Sequence, residues 1–325
     1  MSTATWRRLR ILGGVLILAL LVWRVGTAPV LDGLRAVDAR SLLLASAIAV
    51  PTTVCSAWRW RLVARGLGAE QALGPGVARY YRSQFLNSVL PGGVLGDVHR
   101  GVQAGRDAGD VARGLRAVFW ERAAGQVVQL AITILVLVVL PSPVRSSLLA
   151  LALAAVAVVV VLVLLDRFTP RGRTSWWARV LRAGRSDLRH GVLARGVWPG
   201  VLLASTVAVA GYVAMFLLAA RTAGVDASTA LLLPLGMLTL VAMAVPANVA
   251  GWGPREGVAV WVFAAAGLGA AAGLTTAVVF GVLTFVACLP GAVVLLVLWA
   301  RRARQDVAPD AQNRLPEQAG VAHHD

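Results

Sequence analysis

The 325-residue sequence contains no lysine, and only 15 acidic residues stand against its 31 arginines. Charged residues make up 14% of the chain, where a soluble domain of ordinary composition carries about 25%. That shortage excludes a typical water-soluble enzyme. The two cysteines, Cys55 and Cys288, lie inside apolar runs with no second ligand nearby, so neither a disulfide framework nor a zinc site is encoded, and both read as small apolar side chains. The sequence has four histidines and shows no His-Glu-x-x-His pattern, no Asp-rich repeat and no Walker-type phosphate loop. No cofactor or metal is therefore expected, and the chain is not expected to be an enzyme.

What the chain has in quantity is hydrophobic residues, 58% of the total. They fall in long blocks, and apolar blocks of about 18 or more residues read as membrane-spanning helices. Eight candidate spans emerge, at roughly 11–25, 41–57, 117–140, 147–165, 199–220, 229–245, 257–267 and 274–299. The expected fold is all-α: a polytopic integral membrane protein of about eight transmembrane helices with two re-entrant or broken-helix segments. The domain covers residues 1–304, and 305–325, lacking periodicity, reads as a disordered cytoplasmic tail. The first block is followed by Trp23 and Arg24 and by no small-residue cleavage site, so it reads as a span and not as a removable signal.

An arginine excess of this size would ordinarily raise nucleic acid as a partner, but the arginines are scattered through short loops beside apolar blocks, so none is expected. Of the 31, 24 fall in segments 1–10, 58–116, 166–198 and 301–325, against four in the loops of the opposite side. Basic loops stay cytoplasmic. Both termini are thus expected inside, in the inner (cytoplasmic) membrane. Trp58, Trp60, Trp176 and Trp177, beside these basic segments, read first as interfacial anchors. The 166–198 loop, with eight arginines against Asp166 and Asp187, would also be drawn to anionic lipid.

Two stretches break the apolar pattern: Phe85-Leu-Asn-Ser-Val-Leu-Pro-Gly-Gly-Val-Leu-Gly-Asp-Val-His-Arg100 and Val245-Pro-Ala-Asn-Val-Ala-Gly-Trp-Gly-Pro-Arg-Glu256. Each passes through Pro and several Gly into an acidic residue and an arginine. Pro removes a backbone donor and Gly lowers helix propensity, so an uninterrupted helix is disfavoured in both. Irregular backbone at membrane depth is tolerated only against protein or a wet cavity. The two segments are therefore expected to line a common cavity, as paired interrupted segments do in transporters. Asp97 would cap a helix from Val98, and Pro254 would open a second helix. Helix N-termini with Arg100 and Arg255 close by would suit a phosphate headgroup, with Glu121 and Arg122 along the path. The competing account, in which Pro and Gly end helices at interfacial turns and the carboxylates pair locally, stays open.

In the third span Arg122, Gln126, Gln129 and Thr133 share one face, with Glu121 about 100° round the helix. Such a stripe fits a substrate path or interhelical hydrogen bonding equally well. Ala277, Gly281, Thr284, Cys288 and Gly291 form a small-residue stripe that reads as close helix packing.

The run from Phe85 to Arg100, the Glu121-Arg122 pair and the run from Pro246 to Glu256 resemble the lysylphosphatidylglycerol synthase transmembrane (flippase-like) family, over nearly all of residues 10–300. In some members of that family a polytopic domain is joined to a cytosolic transferase that aminoacylates phosphatidylglycerol. The resemblance implies a membrane domain that moves a lipid between leaflets. Because the chain ends at residue 325, the transferase activity is not expected of it. The implied substrate-binding residues are Asn87, Pro91, Gly92, Gly93, Asp97, Arg100, Glu121, Arg122, Asn248, Gly251, Gly253, Arg255 and Glu256. The expected partners are an anionic or aminoacylated membrane phospholipid and a separate lipid-modifying synthase. The alternatives are an intramembrane enzyme acting on a lipid phosphate and a non-transporting partner of a synthase.

Overall fold

The computed structural model describes residues 25–90, 93–140, 183–243 and 253–307, with side chains as far as Arg301. Among them the regular elements are helical: α1 (Ala28–Ala36), α2 (Ala39–Gly66), α3 (Leu73–Val89), α4 (Leu95–Asp107), α5 (Val111–Val139), α6 (Trp198–Thr222), α7 (Thr229–Ala242), α8 (Pro254–Ala265), α9 (Ala270–Cys288) and α10 (Pro290–Val307), with a π-helical turn at Asp187–Val192. A helix satisfies every interior backbone group within its own segment, the requirement that lipid imposes on an apolar run. Side chains start several of them. Asp38 accepts from the Ser41 N–H at 2.8 Å to open α2, Asp110 from the Arg113 N–H at 2.9 Å to open α5, and Ser228 from the Leu231 N–H at 3.3 Å to open α7.

Four helices are long and apolar enough to cross a membrane: α2 with 28 residues, α5 with 29, α6 with 25, and the run Ala270–Arg301 with 32, which takes in α9 and most of α10. They coincide with the expected spans 41–57, 117–140, 199–220 and 274–299. The expected spans 229–245 and 257–267 are the 14-residue α7 and the 12-residue α8. At 1.5 Å per residue these reach about 21 and 18 Å, short of a hydrocarbon core about 30 Å thick. Except for Val25, the expected span 11–25 lies outside the described residues, as do the span 147–165, Trp176, Trp177 and the tail from residue 308. α10 continues to Val307, three residues into the stretch expected to be a tail.

Segment 58–116 departs most from the sequence reading. It is more than a basic connection carrying one interruption, because after the end of α2 it forms two helices, α3 and α4, both packed into the bundle. α3 lies against α2, α4, α9 and α10, and α4 lies against α5. Of its nine arginines, Arg59, Arg82 and Arg100 are buried. Counting loop arginines takes each to face water, and it cannot see partners supplied by other helices. The main apolar core joins α6, α7, α8 and α9, where Phe216 sits 6.3 Å from the ring centroids of both Phe263 and Phe280 among Leu232, Leu235, Val262 and Leu283. This core holds α8 and α9 fixed beside the pair α2 and α6.

Candidate functional site

The first interruption is a tight helix–turn–helix. α3 ends at Val89 and α4 begins at Leu95, with Gly93 between them at φ 60°. This left-handed conformation costs an L-residue roughly 1–2 kcal/mol that glycine avoids. Asp97 is not the helix cap that the sequence led one to expect. The capping position is Val94, whose side chain makes no capping bond, and Asp97 stands in the first turn of α4. The function passes to Asn87 on α3, whose Oδ1 accepts from the Gly96 N–H at 2.8 Å while its Nδ2 donates to Asp97 Oδ2 at 3.0 Å. At the second interruption Gly253 has φ 135° and Pro254 takes the first position of α8. Glu256 Oε2 accepts from the Gly253 N–H at 2.7 Å, and Oε1 accepts from Arg255 Nε at 2.8 Å.

Behind the first turn lies a network of buried charges from α2, α4 and α5. Glu121, wholly buried, accepts at Oε1 from Arg59 Nε at 3.0 Å and from the Tyr80 hydroxyl at 3.3 Å, and at Oε2 from Arg100 Nη2 at 3.0 Å. Arg100 also donates to Asp97 Oδ1 at 2.9 Å, and its guanidinium carbon sits 4.4 Å from the Trp60 ring and 4.3 Å from the Tyr80 ring. Aromatic faces stabilise a cation taken out of water. Asp97 Oδ1 accepts from the Ser83 hydroxyl at 2.9 Å, and Oδ2 pairs with Arg122 at 2.5 Å. Gly125, one turn along α5 from Glu121, makes room for this packing: a Cβ there would meet Arg59 Nη1 at 2.6 Å. Arg122 is half-exposed, but Arg59, Asp97, Arg100 and Glu121 are buried, and charges so placed are tolerated only when paired and hydrogen-bonded in this way.

Beside the network a cavity of about 630 Å³ opens between α2, α3, α5, α6, α8 and α9. Its wall includes Thr53, Gln84, Asn87, Gly93, Arg122, Tyr212, Pro254, Arg255, Thr284 and Cys288. Asn87 and Gly93 from the first interruption thus face the same space as Pro254 and Arg255 from the second. Asp97, Arg100, Glu121 and Glu256 are not on the wall; they stand behind it. Gly253 flanks the cavity at the start of α8, while Pro91, Gly92, Asn248 and Gly251 lie outside the described residues.

Several sequence readings change once the helices are packed. Trp60 is buried beneath Arg100 and is no interfacial anchor. On the α5 stripe Arg122 reaches the cavity, Thr133 donates to the Gln129 carbonyl, and Gln126 is exposed. The small-residue stripe divides. Ala277 is fully buried and Gly291 lies where a Cβ would collide with the Tyr81 carbonyl, whereas Gly281, Thr284 and Cys288 line the cavity. Cys288 Sγ is 3.4 Å from Ser88 Oγ. Sequence reasoning passed over Arg59, Tyr80 and Ser83. A signal for Arg59 was present: Thr52, Ser56 and Arg59 at i, i+4 and i+7 put one polar face on an apolar helix, the same template that singled out Arg122.

Long apolar helices around an internal ion network and a cavity between helices define a multi-pass membrane protein. Residues 9–304 match the family described as the lysylphosphatidylglycerol synthase TM region, and the chain belongs to that family. No curated protein and no solved structure matches it.

Proposed function

We propose that the chain is a lipid-translocating membrane protein that takes the headgroup of an anionic or aminoacylated phospholipid into the cavity between its two interrupted segments. The observation that carries this reading is the cavity itself, where Arg122 of α5 and Arg255 of α8 reach one space whose wall is otherwise largely apolar with a few hydroxyl and amide groups. Arginine grips phosphate through two parallel N–H donors, and the N-terminal end of α8 adds its partial positive charge. Arg100 was the sequence-based choice for the phosphate contact. Being wholly buried, it serves here as a positioning residue that holds Asp97, which in turn orients Arg122. Glu121 anchors Arg100 and Arg59 in the same way.

In this reading the protein is a multi-pass protein of the inner membrane with both termini in the cytoplasm, is not an enzyme, and works on membrane phospholipid made by a separate lipid-modifying synthase. The test is reconstitution of the whole chain in phosphatidylcholine vesicles with a trace of fluorescent phosphatidylglycerol, whose outer-leaflet fraction is read by dithionite quenching. Lysine keeps the charge but loses the two-point grip. Arg122→Lys and Arg255→Lys should each slow equilibration about tenfold with thermal stability nearly unchanged. Wild-type rates in both variants would overturn the assignment.

A further inference from the structure

We infer a second ligand site, at the arginine-rich end of α2, that takes a phosphate ester whose substituent carries hydrogen-bond donors. It shares no lining residue with the cavity of the lipid-binding reading and does not rest on that reading. Two adjoining recesses, of about 470 and 190 Å³, have Glu70, Gln71 and Ala72 on the walls of both. Arg61 and Arg65 line the outer one, and the buried Trp60 lines the inner. Unlike the charges of the buried network, these groups are not matched with one another. Arg61 and Arg65 stand one turn apart on the same helix face, and among the described residues neither side chain has an ion pair or a hydrogen bond. Gln71 Nε2 and Oε1 are both buried, and neither has a partner among the described residues; the same holds for Trp60 Nε1. A buried polar atom left without a partner lowers stability, so this wall is built for a ligand with both acceptors and donors.

The loop that carries Gln71 is fixed. Gly68 takes φ 76°, the Ala69 N–H donates to the Ala64 carbonyl at 2.8 Å, and Arg113 Nη1 donates to the Gly68 carbonyl at 3.3 Å. No side chain caps the start of α3 at Leu73, so its partial positive charge adds to that of the arginines. Phosphate oxygens would accept from Arg61, Arg65 and Gln71 Nε2, while Gln71 Oε1 and the exposed Glu70 would accept from a hydroxyl or ammonium on the ester. Glu70 repels bare phosphate and so favours the ester. The shared chemistry is that of a phospholipid headgroup and of a soluble glycerol phosphate. At 28 residues α2 is about 42 Å long, against a hydrocarbon core about 30 Å thick, which puts its last turn at headgroup level.

The experiment is ligand protection of individual arginines in the purified full chain. Phenylglyoxal modification of each arginine is timed by mass spectrometry of chymotryptic peptides, with phosphatidylglycerol, phosphatidylcholine, sn-glycerol 3-phosphate or inorganic phosphate present. Phosphatidylglycerol should slow modification of Arg61 and Arg65 about tenfold and leave the exposed Arg189 and Arg195, outside both recesses, nearly unchanged. Phosphatidylcholine, whose trimethylammonium has no N–H to donate, and inorganic phosphate should protect several-fold less. Gln71→Leu should weaken the protection, and Glu70→Gln should erase the preference for the ester over inorganic phosphate. Protection by the lipid alone assigns the source to the membrane, and equal protection by glycerol phosphate assigns it to a soluble ester. Equal protection of all four arginines, equal protection by phosphatidylcholine, or no protection overturns the site. Arg122 in the same digest reports on the cavity, so the two sites fail separately.

Discussion

Glu121→Gln gives the sharpest test of how the charge network is held. The substitution keeps the volume of the side chain and removes one negative charge from a site with no exposure to solvent. Arg59 then loses its carboxylate partner on α5 and is left with neutral acceptors among the described residues, the new amide oxygen and the Ser205 hydroxyl at 3.2 Å, while Arg100 retains Asp97. Unit charges about 4 Å apart at an effective dielectric near 20 attract by roughly 4 kcal/mol. Removing one partner of a buried pair costs about 3–5 kcal/mol, because the other charge is left uncompensated. Glu121→Gln should therefore destabilise the protein by about 4 kcal/mol. Replacing Arg59 by Met at the same time removes the stranded cation and fills its place with an apolar chain. The double variant should then be less destabilised than the sum of the two single variants by about 2 kcal/mol, within the range that contacting residues show. The assay is equilibrium unfolding of the full chain by SDS in mixed micelles, followed by tryptophan fluorescence, with Trp60 stacked on Arg100 as an internal reporter. If the two effects add to within about 0.5 kcal/mol, the groups are not coupled and the reasoning fails.

Gly253→Ala forces a side chain onto φ 135°, a region where strain of about 1–3 kcal/mol is typical, so a lower midpoint is expected in the same unfolding assay. The orientation drawn from arginine counts is checked with Arg189→Cys, an exposed position in the π-helical turn, after replacing Cys55 and Cys288 by Ala. An impermeant maleimide should label it only after lysis, and labelling of intact cells would reverse the topology. Asp110 supplies a pH dependence. The Arg113 backbone N–H holds its carboxyl below the ordinary value of 3.8, so the contribution of this cap is complete above that value and is lost as pH falls through the lower folded one. The melting-temperature difference between wild type and Asp110→Ala should be present at pH 6 and shrink in strongly acidic buffer; a difference independent of pH would remove the charged cap from the account.

The membrane class, the helical content and four of the crossings were legible in the residues, because an apolar block of sufficient length has one way to satisfy its backbone in lipid. So were the two interruptions, since Pro and Gly act locally through a missing donor and an accessible positive φ, and Gly93 and Gly253 adopt the conformations for which they were suited. The partners of the charges were not legible. Arg59 and Trp60 have the sequence surroundings of an interfacial basic segment, yet both are buried because Glu121, 62 residues beyond Arg59, and Arg100 pack against them. Likewise Arg100 and Arg122 both follow local motifs, and only the packing of α4 on α5 decides that the first lies behind the wall and the second on it. Backbone preferences extend over one turn and can be read along the chain. Whether a charge is paired inside or meets the cavity depends on helices far apart in sequence, because a buried charge is stable only where another helix supplies its partner.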